Sequence, residues 1–278
     1  MSQIVTIDQL VSLSKKMRLN VLELAFKCDG PAHLGGALSI IEVLAVLYGE
    51  VLRHDPSNKC WDRRDRFILS KGHGVLAYYA ALYQTGYFSK EILQTFKQNG
   101  SDLIAHPVMN MGLGIESSNG SLGHGLSMSV GIAWGLRQKN LDSRVYTLIG
   151  DGECDEGSVW EAAMSASRLR LDNLTAIIDC NGFQSDGPVA AGSDVDALRQ
   201  KWVAQGWVVE VVAGHEVSDL LRVINKINLH AKLGQPRAVI ALTEKGHGVS
   251  FMQQNNLWHH NRLTESLFEQ AKKEIANG

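Results

Sequence analysis

The sequence has little that would tie it to a membrane, a secretory route or a nucleic acid. Its four cysteines, Cys28, Cys60, Cys154 and Cys180, stand singly and form no CxxC pair. That argues against a disulfide framework or a zinc site and suits a reducing cytosol. The first thirty residues lack the unbroken apolar core of a signal peptide, because Asp8, Lys15, Lys16, Arg18 and Glu23 interrupt them. The most apolar later stretch, ALSIIEVLAVLYGEVL, is too short to span a bilayer and carries Glu42 and Glu50. With 27 Lys and Arg against 29 Asp and Glu the formal net charge is -2 and no basic tract occurs, so the electrostatic footprint of a nucleic-acid binder is missing. No GxGxxG follows an N-terminal strand, which disfavours a Rossmann dehydrogenase. What remains is a cytoplasmic globular protein, 278 residues long and 45% hydrophobic. That suffices for one large α/β domain or two small ones.

Hydrophobic spacing organises the chain. Residues 8 to 27 place Leu10, Leu13, Met17, Val21, Leu24 and Ala25 at a helical period, and residues 38 to 52 repeat that character around the loop CDGPAHLGG. DRFILSKGHG reads as a short strand, Arg66 to Leu69, entering a glycine-flanked loop, and GVLAYYAALYQTG as the helix after it. Residues 98 to 124, rich in Gly, Ser and Asn, are expected to be largely irregular, and long loops of this kind are usually functional or disordered. Thereafter helix LSMSVGIAWGLRQK, strand VYTLIG, helix SVWEAAMSASRLRL, strand LTAIIDCN, helix DVDALRQKWVAQ, strand WVVEVV, helix VSDLLRVINKINLHA and strand AVIALTE alternate. Alternation implies an α/β fold, a mainly parallel sheet with helices on both faces.

The stretch RVYTLIGDGECDEGSVWEAAM, Arg144 to Met164, ends a buried strand on Asp151. In open parallel sheets ligands sit beyond the carboxyl ends of the strands. Gly150 and Gly152 relieve steric limits on the turn, and the following helix N-terminus favours an anion. The next strand ends at Asn181, thirty residues after Asp151, so the two side chains are expected to converge. A carboxylate, an amide oxygen and a loop carbonyl suit Mg²⁺, which fills its other positions with water and phosphate oxygens. Glu153, Asp155 and Glu156 have a second reading, since acids near a helix N-terminus are stabilising by about 0.3–1 kcal/mol each without any ligand.

GDG followed about thirty residues later by Asn resembles the diphosphate-binding signature of thiamine diphosphate enzymes. GDGECDEG is similar in particular to transketolases, and CDGPAHLGGALS, DRRDRFILSKGHG, LIAHP, SSNGSLGHGLS, NGFQSDG and KGHGVSFM follow the transketolase order along nearly the whole chain. The resemblance implies a single thiamine diphosphate-binding domain over residues 1–278, with the pyrimidine-binding and C-terminal domains on a separate chain. It further implies thiamine diphosphate and Mg²⁺ as cofactors, and Asp151, Asn181 and the Phe183 carbonyl as metal ligands. Gly150 and Gly152 would flank the diphosphate, and Gly120, Ser121 and Leu122 the aminopyrimidine. Glu156 would stand at the contact between active sites, with the helix-dipole reading equally open. His124 departs from the Gln of many transketolases.

Cleaving and remaking a hydroxylated carbon chain needs acid–base groups, and histidine ionises near neutrality. By family position His33, His73 and His106 face the reacting carbon, and His259, in WHHN, is a fourth with His260 competing. His54, His215 and His230 read as ordinary polar residues. The expectation is the N-terminal subunit of a split transketolase, moving a two-carbon ketol unit from a ketose phosphate to an aldose phosphate in a dimer of chain pairs. A ketol transferase for a branched or sulfonated sugar and a non-catalytic scaffolding subunit are the alternatives.

Overall fold

The computed structural model describes residues 5–28, 30–189, 194–229 and 234–277. Helix α1 (Ile7–Lys27) starts at a capping box in which Thr6 and Gln9 satisfy each other's backbone N–H groups. The segment read as one helix over 38–52 is broken into α2 (Gly35–Leu38), α3 (Ile41–Val46) and a π-helical turn, Leu47–Val51. Gly49 lies in that turn, where a Cβ would meet Leu10 Cδ2 of α1 at 2.5 Å. Close approach of α1 therefore fixes the local geometry.

Strand β1 (Arg66–Leu69) leads through a 3₁₀ turn at Gly72–Gly74 to α4 (Val75–Gln84) and the short α5 (Lys90–Leu93). The glycine-rich segment is irregular except for a 3₁₀ turn at Met111–Leu113. It ends at α6 (His124–Gln138), after which come β2 (Val145–Gly150), α7 (Gly157–Arg168), β3 (Leu174–Cys180), α8 (Val195–Ala204) and β4 (Val208–Ala213). Helix α9 (Val217–Leu229), β5 (Arg237–Leu242) and α10 (Glu265–Asn277) complete the order. His230 lies outside the described residues.

All strand pairs are parallel, in the order β1-β2-β3-β5-β4. Successive residues of a strand face opposite sides, and the two cores obey this. Tyr146, Leu148, Ile177, Val239 and Ala241 pack toward α1, α3, α4 and α9. Their neighbours Val145, Ile149, Ala176, Ile178, Ala238 and Ile240 pack toward α6, α7 and α8. Burial on both faces explains why these strands read as apolar runs.

Register brings Gly150 level with Asp179, so the loops after β2 and β3 leave the sheet side by side. Helix α6 closes on the loop after β1 so tightly that a Cβ at Gly125 would lie 2.3 Å from Ser70 Cβ and 2.6 Å from its Cα. Gly125→Ala is expected to destabilise the chain by about 1–3 kcal/mol through overpacking. Chemical denaturation would check it, with an unchanged midpoint counting against this packing.

Candidate active site

The carboxyl ends of β1, β3 and β5 and the turn after α2 are drawn together by one buried acid. Asp179, fully buried on β3, accepts hydrogen bonds from Ser39 Oγ (2.7 Å), Asn181 Nδ2 (2.8 Å), Thr243 Oγ1 and Lys71 Nζ. Burial alone would raise its pKa. The Lys71 charge and these donors outweigh that and hold the carboxyl below its ordinary value. Lys71 also donates to Gly36 O at 3.0 Å.

Asp151 stands beside this pair and is itself buried. One carboxylate oxygen accepts from Gly152 N at 2.9 Å and the other from Gly182 N at 2.6 Å. The expected convergence is therefore present, with Asp151 bonded directly into the loop that carries Asn181. Asn181 Oδ1 accepts from Phe183 N at 3.0 Å. Burial, reinforced by the Asp179 charge, raises the Asp151 pKa to about 6. A cation here would remove that penalty. A Cβ at Gly152 would come within 2.7 Å of Gln184 Cγ, so only glycine leaves the backbone open at this turn.

These groups line a cavity of about 110 Å³ together with Gly150, Leu122, His73, Lys245 and His259. Lys245 Nζ donates to Gln184 O at 3.0 Å and to Asn256 Oδ1. Burial, then repulsion from Lys71, lowers its pKa to about 8. The cavity thus offers oxygen donors for a cation and two ammonium groups for an anion.

Glu153 corrects one expectation. Rather than a surface acid at a helix N-terminus, it is buried, accepting from Ser70 Oγ, Gly123 N (2.9 Å) and Gly150 N (3.1 Å). It clamps the entry of α6 to the ends of β1 and β2. Glu156 remains exposed as the N-cap of α7, with its Cβ side packed toward Gly123. His124 is exposed at the start of α6. Gly120 and Ser121 are exposed at the rim, and the position of a Gly120 Cβ lies 3.6 Å from His106 Cγ.

The four candidate histidines gather in one place. The His33 ring lies 5.9 Å from His73, 5.4 Å from His106 and 5.4 Å from His259, and His73 lies 5.3 Å from His259. His260 joins them, 4.4 Å from His33. Both members of the WHHN pair therefore belong to the cluster, on different sides of it. Burial works against the ionisation near neutrality expected of them. Burial first, then like charge, lowers His33 to about 3 and His259 to about 4, and pushes His73 and His106 down as well. These shifts favour the neutral ring, which offers one donor and one acceptor. His259 Nδ1 is buried without a protein partner, a polar atom awaiting a ligand.

His54 and His215 are held by the fold, although His54 Nδ1 is buried without a partner. His54 Nε2 is 2.9 Å from Tyr48 O, and its ring stacks on Tyr87. His215 Nδ1 is 2.9 Å from Glu42 Oε2, while its Nε2 accepts from Glu244 N. Sequence reasoning misses Lys71, Asp179 and Lys245. Only the SKGHG and KGHG contexts of the two lysines hint at them, since their importance comes from burial against remote segments.

Residues 13–277 match the family model for the transketolase thiamine diphosphate binding domain. The chain is 42% identical over 246 residues to the 6-deoxy-6-sulfo-D-fructose transketolase subunit SqwG of Clostridium sp. (strain MSTE9), covering 88% of this chain and 89% of that one. It is 38% identical over 270 residues to an apulose-4-phosphate transketolase subunit of Phocaeicola vulgatus, covering 97% and 95%. Among solved structures, transketolase from Leishmania mexicana superposes with a TM-score of 0.87 at 27% identity, covering 99% of this chain and 42% of that one. The chain belongs to the transketolase family and carries its thiamine diphosphate binding domain. It spans about two fifths of the full-length transketolases it matches.

Asp179→Ala is expected to leave Lys71 buried without its counter-charge and to cost about 3–5 kcal/mol. Urea unfolding of the purified chain would measure this, and a loss under about 1 kcal/mol, well below the cost of an uncompensated buried charge, would mean that Asp179 does not hold these loops.

Proposed function

We propose that this chain is the diphosphate-binding subunit of a two-chain transketolase, transferring a two-carbon ketol unit from a ketose phosphate to an aldose phosphate. The observation that carries the reading is the union, at one sheet edge, of an acid-and-amide cation site, two lysines and a neutral histidine cluster.

Asp151, Asn181 and the Phe183 carbonyl would hold Mg²⁺, an arrangement of hard oxygen donors that fits the ion. Lys245 and Lys71 would offset diphosphate charge, Gly150 and Gly152 would give it backbone access, and Gly120, Ser121 and Leu122 would border the aminopyrimidine. Thiamine diphosphate, when bound, supplies the carbon nucleophile and electron sink for carbon–carbon cleavage. His33, His73, His106 and His259 would orient the sugar and move its protons, a neutral imidazole being able to accept a hydroxyl proton at one nitrogen while donating from the other. Glu156, exposed at the start of α7, would stand at the contact between active sites.

The pyrimidine-binding and C-terminal domains would come from a second chain, in a dimer of pairs. A shallow, mainly apolar hollow lined by Met109, Met128, Gly131 and Ile132 and edged by Glu116, Ser117 and Ser118, with Val108 and Trp134 also exposed, supports a protein partner on the α6 face. No described helix is long and apolar enough to cross a membrane, and all four cysteines are free thiols; we assign the chain to the cytoplasm. Relatives named for a sulfonated sugar and for apulose 4-phosphate favour, as a second reading, an unusual ketose as donor.

Asp151→Ala is expected to abolish magnesium-dependent binding of thiamine diphosphate in the assembled enzyme. In the wild type the Asp151 carboxyl is protonated below about pH 6, so cation affinity is expected to rise through that pH and level off above it. Below it the loss is about tenfold per pH unit. Calorimetry on either side of that pKa tests both statements, and unaltered binding in the variant would remove Asp151 from the metal site. Native mass spectrometry of the chain drawn gently from its own cells is expected to find a second chain and the cofactor; a lone, cofactor-free chain would refute the split enzyme.

A further inference from the structure

The two ammonium groups of the cofactor cavity differ in what surrounds them. Lys71 is ion-paired to the buried Asp179, so its charge is largely compensated within the protein. Lys245 makes hydrogen bonds to neutral oxygens, Gln184 O at 3.0 Å and Asn256 Oδ1, and its ammonium lies 5.4 Å from the centre of the Phe183 ring. Its charge therefore remains available to an anion, provided that a long and flexible side chain is held in place.

Asn256 does the holding from outside. Lys245, Gln184, Ser185 and His259 line the cavity, and Asn256 is not part of that lining. Its side chain joins two segments at once: Oδ1 accepts from Lys245 Nζ, and Nδ2 donates to Ser185 O at 3.0 Å. Its backbone O accepts from His259 N at 2.9 Å. An amide suits both side-chain partners, because an ammonium can only donate and a carbonyl can only accept. A carboxylate at this position would compensate the Lys245 charge and face Ser185 O with no donor, and an aliphatic side chain would leave both partners unbonded.

The segment that carries Asn256 is fastened at both ends. Gln254 N donates to Lys245 O at 3.0 Å, and Ala32 and Asn261 exchange backbone hydrogen bonds at 2.9 and 3.1 Å. Between these ties Trp258 is buried, its ring centroid 5.2 Å from that of Phe251. The segment also packs closely on α2, where a Cβ at Gly35 would lie 3.0 Å from Lys245 Cγ and 3.1 Å from Trp258 O. The amide oxygen of Asn256 is thus a fixed acceptor rather than a mobile surface group.

We propose that Asn256 is a positioning residue for diphosphate capture, holding the Lys245 ammonium at the cavity through its amide oxygen without compensating its charge. This rests on the thiamine diphosphate reading and deepens it, extending recognition of the diphosphate to a side chain outside the cavity.

The test is a double-mutant cycle on the full chain, with magnesium pyrophosphate as the probe and calorimetry as the readout. Asn256→Ala and the similarly sized Asn256→Leu are each expected to weaken binding about 3- to 10-fold, the range for one ordinary hydrogen bond. In a Lys245→Met background the same substitutions are expected to change affinity by less than about twofold, because the group they act through is gone. A merely structural role would instead give losses that add. Losses undiminished in the Lys245→Met background, variants that bind as well as wild type, or no saturable binding of pyrophosphate by the wild type would each overturn the proposal. In the assembled enzyme, a lack of ketol transfer with the coupling intact would refute the proposed function and leave the role of Asn256 standing; ketol transfer with additive losses would do the reverse.

Discussion

The buried Lys71–Asp179 pair is the constraint from which the rest of the site follows. Two ions removed from water lose several kcal/mol of solvation each, so the pair persists only because each partner has further hydrogen bonds. Those bonds come from three further segments, α2 with the turn after it, the loop after β3 and the end of β5. Satisfying one carboxylate therefore positions Gly36, the approach to His73, Asn181 and the approach to Lys245 together. Asp151 can then sit beside a second acid with its pKa raised, because the surrounding backbone is already fixed.

The electrostatics of the two halves of the site are opposite in kind. Asp151 is a carboxyl made unwilling to ionise, and the histidines are imidazoles made unwilling to protonate. Both effects are led by desolvation, and both would be reversed by a ligand of the complementary charge. A divalent cation beside Asp151 would relieve the unfavourable burial of its charge. Neutral rings also keep both a donor and an acceptor, which a charged ring would not.

Much of the architecture was legible in the sequence because the physics was local. VYTLIG is a strand from Val145 to Gly150, as its apolar run and glycine stop imply. The strands written as LTAIIDCN, WVVEVV and AVIALTE shift by only a residue or two at their ends, where boundaries depend on pairing rather than composition. The break within 38–52 was not legible, because the approach of Leu10 to Gly49 is a tertiary event. In the site, the gathering of His33, His73, His106 and His259 followed from family position, but their neutrality did not, since burial comes from packing. Glu153 shows the same limit: an acid in an acid-rich turn reads as solvated until the loops of Ser70 and Gly123 are seen closing on it.

The bridge between Ala32 and Asn261 joins residues 229 positions apart and holds two imidazoles in place. A ribosome adds residues in order at roughly 5–20 per second, so the segment bearing His33 emerges many seconds before the one bearing His259 and His260. During that interval the central strands can pair, yet the pocket lacks one wall. Any ligand that needs the whole histidine cluster must wait until the segment around Asn261 has been made and folded back, long after Ala32, which makes its capture late relative to pairing of the strands.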